Sequence, residues 1–161
     1  MPFTTQQLQT IKTYINATPA LAAKPNNPDG NYDIAIALNS NASPTFTVWK
    51  TSVPLGDVGR KFNGTELAGL TTGNQTRLQT VAQYLNTVNP SLPDNRQFFD
   101  DVFSGAGGTN TRAALLALWK SPAKQIEKLF ATGTGSDGSP ATLVYEGEIS
   151  YVEVENARNL P

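Results

Sequence analysis

Three glycines in Gly133-Thr134-Gly135-Ser136-Asp137-Gly138 carry the spacing G-x-G-x-x-G. In a dinucleotide fold that spacing lets backbone amides approach a pyrophosphate. The chemistry needs a strand before the first glycine and a helix after the last. Here the run follows a helical pattern and leads into a β-prone one. The order is inverted, so the glycines read as a helix stop and a flexible loop. The carboxylates Asp94, Asp100, Asp101 and Glu127 are candidates for a divalent cation or for paired-carboxylate catalysis. Neighbouring residues on a helix diverge by about 100°. Asp100 and Asp101 therefore do not converge on one ion, and they read as the solvated back of a helix. Lys120, Lys124 and Lys128 have the spacing of a basic helix face. Glu127 interrupts that face and Pro122 can bend the chain, so solvation is the default reading over phosphate binding.

The chain has no histidine and no cysteine. Zinc, haem and copper ligation by those residues is excluded. So are cysteine nucleophiles and any triad with a histidine base. With no converging polar set left, the expectation is a protein that is not an enzyme and has no cofactor or metal.

The length, 161 residues, suits one domain that hides roughly 70% of its unfolded surface. The formal net charge of −1 gives no broad electrostatic footprint for nucleic acid. No apolar run is long enough to span a membrane, and the opening residues lack the basic and apolar regions of a signal peptide. Charged residues are 16% of the chain, below the usual ~25%. Such a surface suits a protein packed among neighbours, and equally an ordinary soluble domain.

The elements that would position these groups are mostly helical. Thr4 and Gln7 have capping-box spacing ahead of Leu8, Ile11 and Ile15. A second helix, capped by Asp29 or Asn31, runs through Tyr32, Ala35, Ile36 and Leu38. Thr71 or Thr72 caps a third through Leu78, Val81, Ala82, Leu85 and Val88. Asp94 caps one carrying Phe98, Phe99, Val102 and Phe103. Residues 112–119 are apolar nearly all round and predict a central helix. Ser121-Pro122 reads as the start of another, with Ile126, Leu129 and Phe130 facing inward. Ser150 and Glu153 repeat the capping-box spacing before a last helix ending near Arg158.

Two segments, about 46–53 and 141–148, are β-prone. The fold class is therefore mainly α, a single-domain helical bundle over 1–161, with those two segments forming a hairpin or an arm. The expected core is Leu78, Val81, Leu85, Phe99, Val102, Phe103, Leu115, Leu118, Trp119, Ile126 and Phe130. Trp49 and Trp119 read as core residues, with interface use as the alternative.

The runs Phe46-Thr47-Val48-Trp49-Lys50-Thr51-Ser52-Val53 and Glu127-Lys128-Leu129-Phe130-Ala131-Thr132-Gly133-Thr134-Gly135, with Ser139-Pro140-Ala141-Thr142 and Glu146-Gly147 after them, resemble a family of small proteins from the structural modules of tailed bacteriophages. Its members look like head–tail connector, or adaptor, proteins. The likeness spans roughly residues 5–155. One departure is that members often carry a Trp-rich helix where this chain has Leu78 to Leu85, with Tyr84 its only aromatic.

The resemblance implies a structural virion protein at the head–tail junction, made in the host cytoplasm. It implies a homo-oligomeric ring of about twelve subunits, docked on the portal protein and on the next neck or tail protein. It implies no membrane, and DNA at most passing through the ring lumen. A capsid decoration or other accessory virion protein is the rival reading, and a small inhibitor of a host factor is another. The segment 131–148 is the expected arm, with Trp49, Gly133, Gly135, Leu143, Val144 and Tyr145 as partner-binding residues. Its apolar stretch either adds to a neighbour's sheet edge or pairs with 46–53 of its own chain.

Overall fold

The computed structural model describes residues 3–161. Along the chain run α1 (Thr5–Ala17), α2 (Pro19–Ala22), α3 (Pro28–Asn39), β1 (Thr47–Trp49), β2 (Val53–Pro54), α4 (Leu55–Gly59), α5 (Gly64–Ala68) and α6 (Thr72–Tyr84). Then follow β3 (Thr87–Val88), α7 (Pro93–Val102), α8 (Thr109–Leu118), β4 (Lys120–Pro122), α9 (Gln125–Phe130) and α10 (Tyr151–Arg158). The protein is mainly helical, with two small antiparallel sheets of two strands each.

Local chemistry sets the helix starts. Thr4 Oγ1 accepts from Gln7 N and Gln7 Oε1 accepts from Thr4 N, so two orphan amides of α1 are satisfied reciprocally. Ser150 and Glu153 do the same for α10. Thr71 caps α6 through the amide of Asn74. Two caps differ from expectation. Asn27 caps α3, with Pro28 in its first turn, and Asn31 is instead buried, accepting from Arg158 at 2.8 Å. Helix α7 starts on Leu92 and Pro93, with Asp94 in the first turn, where its charge favours the helix dipole.

Two apolar clusters carry the packing. In the first, α1, α3, α9 and α10 meet around Ile11, Ile15, Ile34, Leu38, Ile126 and Val154. In the second, β2, β3, α4, α7 and α8 enclose Val53, Val58, Val88, Phe99, Leu115 and Trp119. Each such side chain contributes about 1.5–3 kcal/mol by burial. A small third cluster, Val48, Ala123 and Ala141, lies along β1.

The β-prone run at 46–53 is split in two. β1 pairs with β4, placing Val48 opposite Ser121. β2 pairs with β3, placing Val53 opposite Val88. Between them Lys50 N donates to Trp119 O at 2.8 Å, and the chain then bends to serve the second cluster. Ser121-Pro122 is thus in a strand, and α9 begins later, at Gln125.

The segment 141–148 is not a strand. β4 already occupies one edge of β1, and Ala141 forms a single parallel bridge with Val48 on β1. Beyond it the chain cannot stay extended against β1, because Tyr145 turns to Phe3 and Phe130 and Gly147 adopts φ +143°.

The central-helix expectation also shifts. Leu115 and Trp119 are buried, at 1% and 2% exposure, but Leu116 is exposed and Leu118 only half-buried, so α8 has a solvent face. Helix α6 buries no residue at all. Leu78 and Val81 are half-buried, and Leu85, its extended C-cap, is exposed. Val88, expected on the same helix face, is in β3. Phe99, Val102, Phe103 and Ile126 are buried as expected, and Phe130 is partly so.

Candidate interaction surface

The glycine loop is anchored to its own chain. Thr47 N donates to Gly135 O at 2.7 Å. Gly135 is buried at φ +66°, and a Cβ there would stand 2.2 Å from the Phe46 ring. Only glycine allows that approach. Gly133, at φ +122°, lies against Ala141, where a Cβ would come within 3.1 Å of its Cα. Lys120 Nζ donates to Asp137 O at 2.7 Å and pairs with its carboxylate at 3.2 Å. Thr134 Oγ1 donates to Ser139 O and closes the loop on itself. The inverted G-x-G-x-x-G therefore makes a packed turn against β1, neither a phosphate cradle nor a free loop.

The chain after it is held as firmly. Ala141 N donates to Thr47 O at 2.9 Å and Trp49 N donates to Ala141 O at 3.0 Å. Leu143 is half-buried on the third cluster. The Tyr145 ring lies 4.7 Å from Phe3 and 6.0 Å from Phe130, and its hydroxyl donates to Glu148 O. Burial raises the pKa of that phenol, and the carboxylates of Glu153, Glu127 and Glu148 raise it further. Buried Glu127 accepts from Lys124 N at 2.8 Å and from Gly147 N at 3.2 Å, tying the start of α9 to the end of the segment.

Of the six expected contact residues, Gly133, Gly135, Leu143 and Tyr145 thus pack within the chain. Trp49 is half-buried beneath the Arg96 guanidinium. Val144, 69% exposed, is the one that presents apolar surface. The free arm is corrected to a strap docked on β1 and α9.

The carboxylates do not assemble. Glu127 is on α9, where it holds the strap, while Asp100 and Asp101 lie on α7. Asp101 accepts from Gln97 at 2.7 Å. Among the described residues no three His, Cys, Asp or Glu side chains come together around a metal position. Nor do the three lysines share a helix face, since Lys120 is in β4 and Lys124 precedes α9.

Sequence reading missed one buried acid. Glu66 accepts from Asn110 N at 2.9 Å and Thr111 N at 2.7 Å, so its carboxylate caps α8 from a distant helix. Burial pushes its pKa up, but the hydrogen bonds from Thr111 and Asn110 outweigh that, and it titrates below the ordinary value.

Exposed apolar surface occurs at several places. Tyr32 and Ile36 on α3, 58% and 51% exposed, lie with Tyr151 of α10 beside a shallow hollow. The buried face of α3 is taken by Asn31, Ile34, Ala35 and Leu38 instead. An apolar helix on two sides was the signal. A groove of about 580 Å³ opens beneath α6, lined by Leu55, Phe62, Leu67, Leu78 and Val81. Tyr84, Leu85 and Leu92 are exposed on the same half of the chain. No helix among the described residues is long and apolar enough to cross a membrane. No family model matches the chain, and no curated protein or solved structure matches it.

Proposed function

We propose that this chain is a structural virion protein of a tailed phage, a head-to-tail connector that forms a ring on the portal and does no chemistry. The observation that carries the reading is the pair of unlike apolar surfaces on separate halves of the molecule. One is the Tyr32–Ile36–Tyr151 face of α3 and α10, and the other is the open groove beneath α6. Contiguous exposed apolar surface marks sites of protein–protein contact. A ring of identical subunits needs two different patches, which meet at every boundary. The sequence resemblance to adaptor proteins supports the same reading. The signature run supplies the strap that closes the fold, so the contacts with neighbours fall on the helical faces and on Val144.

The test is retention of the full chain on immobilised purified portal, with assembled capsid lattice as the parallel arm. Binding to portal alone is the expected result. Binding to the lattice alone would replace the connector with a decoration protein, and binding to neither would remove both readings.

A further inference from the structure

The chain has two tryptophans, and both line one cavity of about 500 Å³, walled by β1, α7 and α8. Its charged lining is Arg96, Asp100 and Arg112. Arg96 lies over the Trp49 ring, with its guanidinium carbon 4.1 Å from the centroid. Its Nη1 donates to Pro90 O. Arg112 Nη1 donates to Phe103 O, and to Gly105 O at 2.9 Å. Each guanidinium is therefore fixed to backbone through one nitrogen. Among the described residues their other N–H groups meet no protein acceptor. Asp100, one turn after Arg96, forms an ion pair with neither.

Both arginines are half-buried and Asp100 is exposed at the rim. Partial burial lowers the pKa of Arg96, while partial burial together with the Asp101 carboxylate raises that of Asp100 beyond what Arg112 and Arg96 offset. Trp119, in the same wall, is buried with its indole N–H unpaired, an uncommon state for that donor. Two cations against one carboxyl leave the cavity net positive, with pre-oriented planar donors facing no partner. That is the arrangement for a planar anion.

We propose that this cavity binds a carboxylate side chain on an acidic, apolar-flanked segment of a partner protein. A carboxylate matches the guanidinium fork with a single negative charge, whereas Asp100 repels a phosphate dianion more strongly. The chain's net charge of −1 also denies nucleic acid the broad positive field that its binding draws on. Exposed Leu116, with Ala113 and the Trp49 ring, offers the apolar wall that a flanking side chain needs. The inference does not depend on the connector reading. A carboxylate bound here by a chain that ignores portal would leave this proposal intact and remove the other.

Tryptophan fluorescence reports on this cavity and on the second cluster that Trp119 joins, and the Ala113 variants separate the two. The full chain is titrated with the acetylated, amidated tetrapeptide Leu-Glu-Leu-Gly, its glutamine counterpart, and a single-stranded oligonucleotide. A saturable change below about 1 mM is expected for the glutamate peptide only, weakening as salt rises. Arg112→Gln would also disturb the Phe103 and Gly105 carbonyls, so the deciding variants are at exposed Ala113. Ala113→Glu places a competing carboxylate in the wall and should weaken binding at least tenfold, about 1.4 kcal/mol, while Ala113→Gln should bind as the wild type does. A flat response, an equal response to the glutamine peptide, undiminished binding by Ala113→Glu, or oligonucleotide binding in place of the peptide would overturn the proposal.

Discussion

Replacing Gly135 by alanine separates a docked strap from a free arm. Gly135 sits at φ +66°, and its Cβ would lie 2.2 Å from Phe46 Cε2 and 2.4 Å from Cζ. A left-handed conformation costs a non-glycine residue about 1–2 kcal/mol. Overpacking against a partly buried ring adds about 1–3 kcal/mol. The ring cannot yield freely, because Phe46 packs against Val48, Ala123 and Ala141, and Thr47 beside it is bonded to Gly135 O. The sum is about 2–5 kcal/mol, roughly 5–15 °C in Tm for a chain of this size. Gly138 is the internal control. It has nothing within 4 Å and no positive φ, so Gly138→Ala should be neutral or stabilise by up to about 1 kcal/mol. Urea denaturation of the three proteins measures the difference. If Gly135→Ala unfolded with the wild type, within about 0.5 kcal/mol, the loop would be a mobile arm and the strap reasoning would fail.

Leu115→Ala should cost about 2–5 kcal/mol in urea, whereas exposed Leu85→Ala should stay within about 0.5 kcal/mol; equal losses would restore α6 to the core. Glu66 titrates lower in the folded chain than in the unfolded one. Its contribution is therefore present above the unfolded carboxyl range, near pH ~4.3, and is lost as pH falls through the folded value. Glu66→Gln should lower Tm at neutral pH and flatten the acid side of the Tm profile; an unchanged profile would contradict the cap. Glu127→Ala removes the acceptor of two backbone amides and should cost about 1–3 kcal/mol. Amide exchange at Gly147 should accelerate with it, and an exchange rate unchanged there would place the strap's anchor elsewhere.

What was legible in the sequence was local. The capping pairs Thr4–Gln7 and Ser150–Glu153 act within one turn, so spacing alone reveals them. The β-branched run around Val48 and the burial of Leu115 and Trp119 were legible from residue type. What was hidden depends on distant partners. Glu66 caps α8 across 45 residues, and no window of sequence joins the two. Ser121-Pro122 has the composition of a helix start, yet Val48 and Thr47 recruit its backbone into a strand. Gly133 and Gly135 look like flexibility, whereas their lack of Cβ serves close packing against Ala141 and Phe46. Tyr32 and Ile36 make α3 apolar on two sides, and only the placement of α10 decides which side is covered.

The most direct test of the connector reading is the mass, by light scattering, of the complex formed between purified portal ring and excess full-length chain. The account predicts a discrete complex carrying one copy of this chain, 17.2 kDa, for each portal subunit. A portal peak whose mass does not rise, with this chain eluting separately, would contradict it.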